Sequence, residues 1–126
     1  MGILKNKRMG YIMEQHFIKN IEFSKAIELK SLVEYQQGQV VSRTLAQGRP
    51  VSITLFAFDK GEEISSHASS GDAMVHILDG VAEITIGEEK FIVKAGETII
   101  MPVNISHALL AKEQFKMILT VVFTLV

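Results

Sequence analysis

At 126 residues, with 48% hydrophobic content and a formal net charge of −1, the chain reads as one soluble globular domain, long enough to bury a core. Thirteen basic residues against fourteen acidic ones, with no block of five like charges, leave no electrostatic footprint for nucleic acid or an anionic membrane. The absence of cysteine excludes disulfides, thiolate metal sites and thiol nucleophiles, and suits a cytoplasmic protein.

Residues 1–20 are mixed and aperiodic, with Met9 and Met13 as alternative starts, and read as an arm ahead of a single domain over 21–126. Lys5, Lys7 and Arg8 precede the apolar Tyr11-Ile12-Met13, but Glu14, Gln15 and His16 follow at once. No signal-peptide apolar stretch forms. From Phe23 onward, short β-branched runs recur at roughly eight to twelve residues with turn residues between them, the pattern of a sandwich or barrel. The predicted strands cover 26–33, 39–45, 52–58, 73–78, 81–86, 90–93, 98–101, 108–112 and 115–125. Strong helical spacing appears nowhere. Gly87-Glu88 suits a tight hairpin between Ile86 and Glu89, and Asp79-Gly80 offers a second turn of the same kind.

Alternation assigns the faces. Ala82, Ile84 and Ile86 point one way while Glu83 and Thr85 point the other, as in a half-solvated antiparallel strand. The last strand differs, because Phe115, Met117, Leu119, Val121, Phe123 and Leu125 share one apolar face while the other carries Ile118, Val122 and Val126 beside Thr120 and Thr124. Both faces seek burial. A barrel of this size has one interior, so the second face is expected to lie under the N-terminal arm or a second subunit, and a homodimer is the expected state. The run 117–126 is only about half a membrane span and contains two threonines, so it reads as a strand.

Two glycine-led segments carry the functional signal. Gly61 opens a stretch running through Glu63, Ile64 and His67 to Gly80, and Gly96 opens one running through Ile99, Met101 and Pro102 to His107. In each, a turn glycine launches a short strand that ends on a histidine, which could bring His67 and His107 together inside one barrel. The pattern resembles that of small single-domain cupins. Gly61, His67 and Gly80 match Gly-x5-His-x-His-(three or four residues)-Glu-x6-Gly, and Gly96, Pro102 and His107 match Gly-x5-Pro-x-Gly-x2-His-x3-Asn. The resemblance spans roughly residues 35–126 and implies an all-β, jelly-roll antiparallel barrel with an N-terminal arm.

In that family the two histidines and glutamate of the first motif and the histidine of the second hold a divalent metal. Here His67 and His107 match, whereas Ser69 stands at the second histidine, Ala73 at the glutamate, Asn104 at the glycine and Ala111 at the final asparagine. Half the metal shell is missing. Two neutral imidazoles do not balance a divalent charge in a low-dielectric cavity, so a weakly held ion would need Asp72, water or an external carboxylate. Asp72 lies one residue off the family's glutamate position, which turns a strand side chain to the other face unless a bulge intervenes.

The expected pocket comprises His67, Ser69, His107, Met101, Ile99 and His76, with His67, His107 and Asp72 as the candidate metal set. His76, between Val75 and Ile77, is as readily a hydrogen-bonded structural residue as a pocket one. Ser65, Ser66, Ser69 and Ser70 lack any nucleophile-elbow pattern and read as turn residues, and neither Gly61 nor Gly96 opens a phosphate-binding helix. Three functions stay open: a small-molecule binding barrel for a polar or carboxylate ligand, a metal-dependent enzyme of oxygenase or isomerase type, and a metal-free acid–base enzyme akin to sugar epimerases.

Overall fold

The computed structural model describes residues 3–6, 10–13 and 15–124, with side chains from 15 onward. Near the N-terminus, β1 (Ile3–Asn6) and β2 (Gly10–Met13) form an antiparallel hairpin that, among the described residues, pairs with no other strand. Eight further strands make a single curled antiparallel sheet: β3 (Val40–Ala46), β4 (Val51–Phe58), β5 (Glu63–His67), β6 (Asp72–Ile86), β7 (Glu89–Lys94), β8 (Thr98–Met101), β9 (His107–Leu110) and β10 (Phe115–Val122). They run in the order β3-β4-β10-β6-β9-β5, with β7 and β8 also paired to β6. The fold is the expected all-β jelly roll.

Strand β6 holds the two halves together. Its first part pairs with β10 and β8, and its second part pairs with β7 and β9. The change of partners falls at Leu78–Gly80, where the β10 register slips by one residue and Gly80 takes φ 73°. Asp79-Gly80 is therefore a bend within one long strand rather than the hairpin turn expected. The bulge supplies the extra twist that carries β6 from one side of the barrel to the other. Gly80 permits it because a Cβ there would lie 2.0 Å from the Gln114 carbonyl oxygen. The Gly87 turn, at φ 61°, does join β6 to β7 as a tight hairpin closing on Ile86 and Glu89.

Alternation places Val75, Ile77, Ala82, Ile84, Met101, Leu109, Phe115 and Met117 in the interior, where Phe58 stacks on Phe115 with ring centroids 4.4 Å apart. A second apolar cluster lies on the outer face of the sheet. There Val33, Leu45, Leu55 and Ala57 are buried beneath Ile21, Leu29, Leu32 and Tyr35, with Ile118 among them. The covering segment corrects one expectation, since residues 26–33 do not form a strand. Leu29–Leu32 is a short 3₁₀ helix, and Ser31 seals it by donating both its amide and its hydroxyl to the Glu28 carbonyl. Leu29, Leu32 and Val33 thereby turn toward the sheet together, a spacing a strand would split between two faces. Of the second apolar face of β10 this segment packs on Ile118, while Val122 stays 37% exposed; the strand stops at Val122, short of the expected Leu125, which with Val126 lies outside the described residues.

Candidate functional site

Strand β5 ends on His67 and β9 begins on His107, and the antiparallel register sets the two residues directly opposite each other. A register shift between Ile64 and His67 breaks the ladder just before the pair. Had the strand continued without it, His67 would face the other way. His107 also stands opposite Ile86 of β6, so the inner ring is flanked by the apolar end of the central strand. His107 is the second-motif histidine but opens β9 rather than closing β8, which stops at Met101.

The rings meet edge to face, with centroids 4.4 Å apart and Nε2 atoms 3.2 Å apart. Their surroundings are unequal. His67 is exposed, and its Nδ1 lies 3.0 Å from the Ser65 carbonyl. A carbonyl only accepts, so His67 carries its hydrogen on Nδ1 and its Nε2 presents a lone pair. His107 then donates from its own Nε2 to that lone pair. His107 is 3% exposed, and its Nδ1 has no hydrogen-bond partner. Burial pushes the His107 pKa below the ordinary imidazole value and the neighbouring His67 ring adds to the shift, while the Ile105 backbone pulls weakly the other way without completing a bond to Nδ1.

The other expected residues divide. Met101 is in the core and Ile99 packs against it, set opposite Ala73 and Val75 on β6, so both face the barrel interior. Ser69 braces the loops instead, its hydroxyl accepting from Gly71 and its carbonyl from Asn104. His76 is a correction: buried Val75 and Ile77 face the interior, so His76 faces out, where its Nδ1 meets the Thr98 hydroxyl at 2.7 Å. Asp72 is turned away as well, its carboxylate accepting from the Val103 amide at 2.8 Å. Among the described residues, no group of three or more His, Cys, Asp or Glu side chains could hold a metal ion. Ala73, at the family's glutamate position, is buried core.

The structure adds two details around the pair. Ser66 in β5 and Ser106, just ahead of β9, share a hydroxyl–hydroxyl hydrogen bond beside the histidines. Asn104, where the family pattern has glycine, sits at φ 63°, a left-handed conformation that asparagine tolerates better than other side chains. The substitution keeps the loop geometry that delivers His107.

A family model described as a cupin domain matches residues 54–123, which include both histidine segments and every strand from β5 to β10. The chain belongs to the cupin family. It is similar to a solved Streptococcus pyogenes protein of unknown function, with 49% identity, a TM-score of 0.86, and coverage of 89% of this chain and 98% of that one. A cupin superfamily protein from Desulfitobacterium hafniense is 34% identical with a TM-score of 0.81, covering 85% of this cupin and 98% of the other. A cupin 2 conserved barrel domain protein from Leptotrichia buccalis is 41% identical with a TM-score of 0.75, covering 76% of this chain and 47% of that one. No curated protein matches it. Among the described residues, no helix is long and apolar enough to cross a membrane.

Proposed function

We propose that this cupin is a cytoplasmic small-molecule binding protein that takes a carboxylate or other small polar ligand at the His67–His107 pair. One observation carries the reading: two imidazoles meet through their Nε2 atoms, one ring buried and the other open to solvent. The neutral pair shares a single hydrogen between those nitrogens. Adding a proton makes the pair a cation flanked by hydrocarbon, where a carboxylate supplies the missing charge and a ligand hydroxyl could supply a donor. The cysteine-free composition goes with the cytoplasmic assignment.

The test is a thermal-shift series of small carboxylates alongside their amide analogues, repeated on His67→Ala. Saturable stabilisation by a carboxylate, lost in the variant, supports the reading. Shifts that survive in both His67→Ala and His107→Ala would remove the site from consideration.

A second reading rests on the separation of the two Nε2 atoms. Nitrogens 3.2 Å apart could both bond one ion at about 2.0–2.1 Å with an angle of roughly 100° between them. Two neutral donors do not make a resident metal centre, so an ion here would be held jointly with a chelating carboxylate. Metal analysis of untagged protein, with and without added dicarboxylate, separates this from ion-free binding. The acid–base enzyme reading has least support, because among the described residues no carboxylate side chain joins the pair to tune either ring.

A further inference from the structure

Strand β3 closes one end of the strand order, and β5, which carries His67, closes the other. One edge of β3 pairs with β4. The other edge meets the start of the covering segment, where the Lys19 amide donates to the Leu45 carbonyl and the Asn20 side chain donates to the Thr44 carbonyl. Between that segment and β3 opens a cavity of about 1090 Å³, lined by Lys19, Lys25, Glu28, Ser42 and Arg43 among others and by neither histidine of the pair.

Arg43 is the telling member. It stands opposite Leu55, a buried residue of the outer apolar cluster, so a half-buried guanidinium shares a face with hydrocarbon. A charge in that setting ordinarily meets an opposite one. Here the Arg43 guanidinium donates to the Asn20 carbonyl at 2.9 Å, and among the described residues no carboxylate lies within ion-pair distance of it. That bond holds the guanidinium in place and leaves other N–H donors over. Lys19 brings a second cation with no carboxylate beside it, whereas Lys25 is engaged with Glu22 at 3.4 Å. Two uncommitted cations and one uncommitted carboxylate, Glu28, therefore line the same space. The wall also turns through two left-handed residues that are not glycine, Asn20 at φ 62° and Ser24 at φ 56°. Residues held in that region collect at ligand clamps.

We infer that this cavity binds the oxyanion, phosphoryl or carboxylate, of a small hydroxylated metabolite. Arg43 offers planar N–H donors that match two oxygens of such a group, and Lys19 supplies a point charge beside it. Glu28 and Ser42 then serve the ligand's hydroxyls, the carboxylate as acceptor and the serine as donor or acceptor. The site is separate from the histidine pair and takes no residue from it.

Nitrogen–proton correlation spectra of the full, isotope-labelled chain test this with inorganic phosphate, glycerol 3-phosphate and glycerate as probes. Saturable shifts are expected at amides within 19–32 and 42–44 with glycerol 3-phosphate or glycerate, the tighter of the two naming the oxyanion. Arg43→Gln and Lys19→Gln should each weaken that binding by roughly tenfold or more, while His67→Ala leaves it unchanged. Because Arg43 also holds Asn20, its variant reports on the segment as well as on the ligand. Lys19→Gln alters an exposed side chain and keeps the backbone bond to Leu45, so its loss of affinity reads the ligand alone. No shift with any of the probes would overturn the inference, and so would shifts confined to β5 and β9 or an affinity that Lys19→Gln leaves intact. Inorganic phosphate binding as tightly as both organic probes would overturn the contacts assigned to Glu28 and Ser42.

Discussion

His67 and His107, 40 positions apart in sequence, are opposed in the β5–β9 register with their Nε2 atoms 3.2 Å apart. The pair is asymmetric, and its two halves should fail differently. His67→Ala removes an exposed ring from a strand end, so stability should move by no more than about 0.5 kcal/mol while carboxylate binding is lost. His107→Ala deletes a buried ring beside Ile86, and the cavity should cost about 1–3 kcal/mol. Urea denaturation and thermal-shift titration of both variants check this, and equal stability losses would count against the asymmetry.

The same asymmetry sets a pH dependence. Burial depresses the pKa of His107 in the folded protein, whereas in the unfolded chain the ring titrates near its ordinary value of about 6.5. Between the two values the unfolded state binds more protons, so stability rises with pH in that window. The His107 contribution is whole above about 6.5, falls as pH drops toward the folded-state value, and is fully lost below it. Denaturation midpoints measured from neutral to mildly acidic pH should fall for the wild type and fall less for His107→Asn. Parallel curves for the two proteins would contradict the assignment.

Much of this architecture was legible because turn chemistry is local. Gly61 and Gly96, at φ 90° and 89°, launch β5 and β8 where the spacing placed them, and alternation along 81–86 assigned its faces correctly. His67 was legible for the same reason, since Gly61 and the length of β5 fix where that strand ends, whereas His107 opens β9 after β8 has stopped at Met101 and is brought to His67 by the β5–β9 pairing. What escaped was decided by tertiary contacts. Leu29–Leu32 forms a 3₁₀ helix because the outer face of β4 and β10 offers apolar surface to cover, which no periodicity in 26–33 announces. Gly80 looked like a hairpin turn because a bulge in a long strand uses the same residue for the same conformational reason. His76 was ambiguous in the sequence because either strand face could have lined the barrel; the burial of Val75 and Ile77 settles it.

Gly80 and Gly61 separate steric exclusion from backbone preference. Both have positive φ, but a Cβ on Gly61 meets nothing within 4 Å, whereas one on Gly80 lies 2.0 Å from the backbone oxygen of Gln114. Gly61→Ala should cost about 1–2 kcal/mol, the ordinary penalty of a left-handed alanine. Gly80→Ala should cost about 4 kcal/mol or more, because a backbone carbonyl in the β6–β10 ladder must move. Thermal denaturation of the two variants ranks them, and a Gly80→Ala protein as stable as Gly61→Ala would show that the bulge relaxes freely.

Tyr35 ties the covering segment to the bend in β6. Its hydroxyl donates to the Asp79 carboxylate at 2.5 Å, while the Lys116 ammonium lies 5.0 Å from its ring centroid and donates to the Lys30 carbonyl. Burial, the bond to Asp79 and that carboxylate's charge, in that order, all raise the phenol pKa, so the group stays a protonated donor throughout the working range. Tyr35→Phe keeps the ring over Leu55 and Ile118's cluster but strands a carboxylate oxygen, and should cost about 1–3 kcal/mol. Hydrogen exchange should locate the loss, with faster exchange at Ser31 and Ala95, whose amides bond to Glu28 and Gly80 beside the broken tie, and unchanged exchange in the β5–β9 ladder. Uniform acceleration over both regions would mean that Tyr35 supports the whole barrel rather than the cover alone.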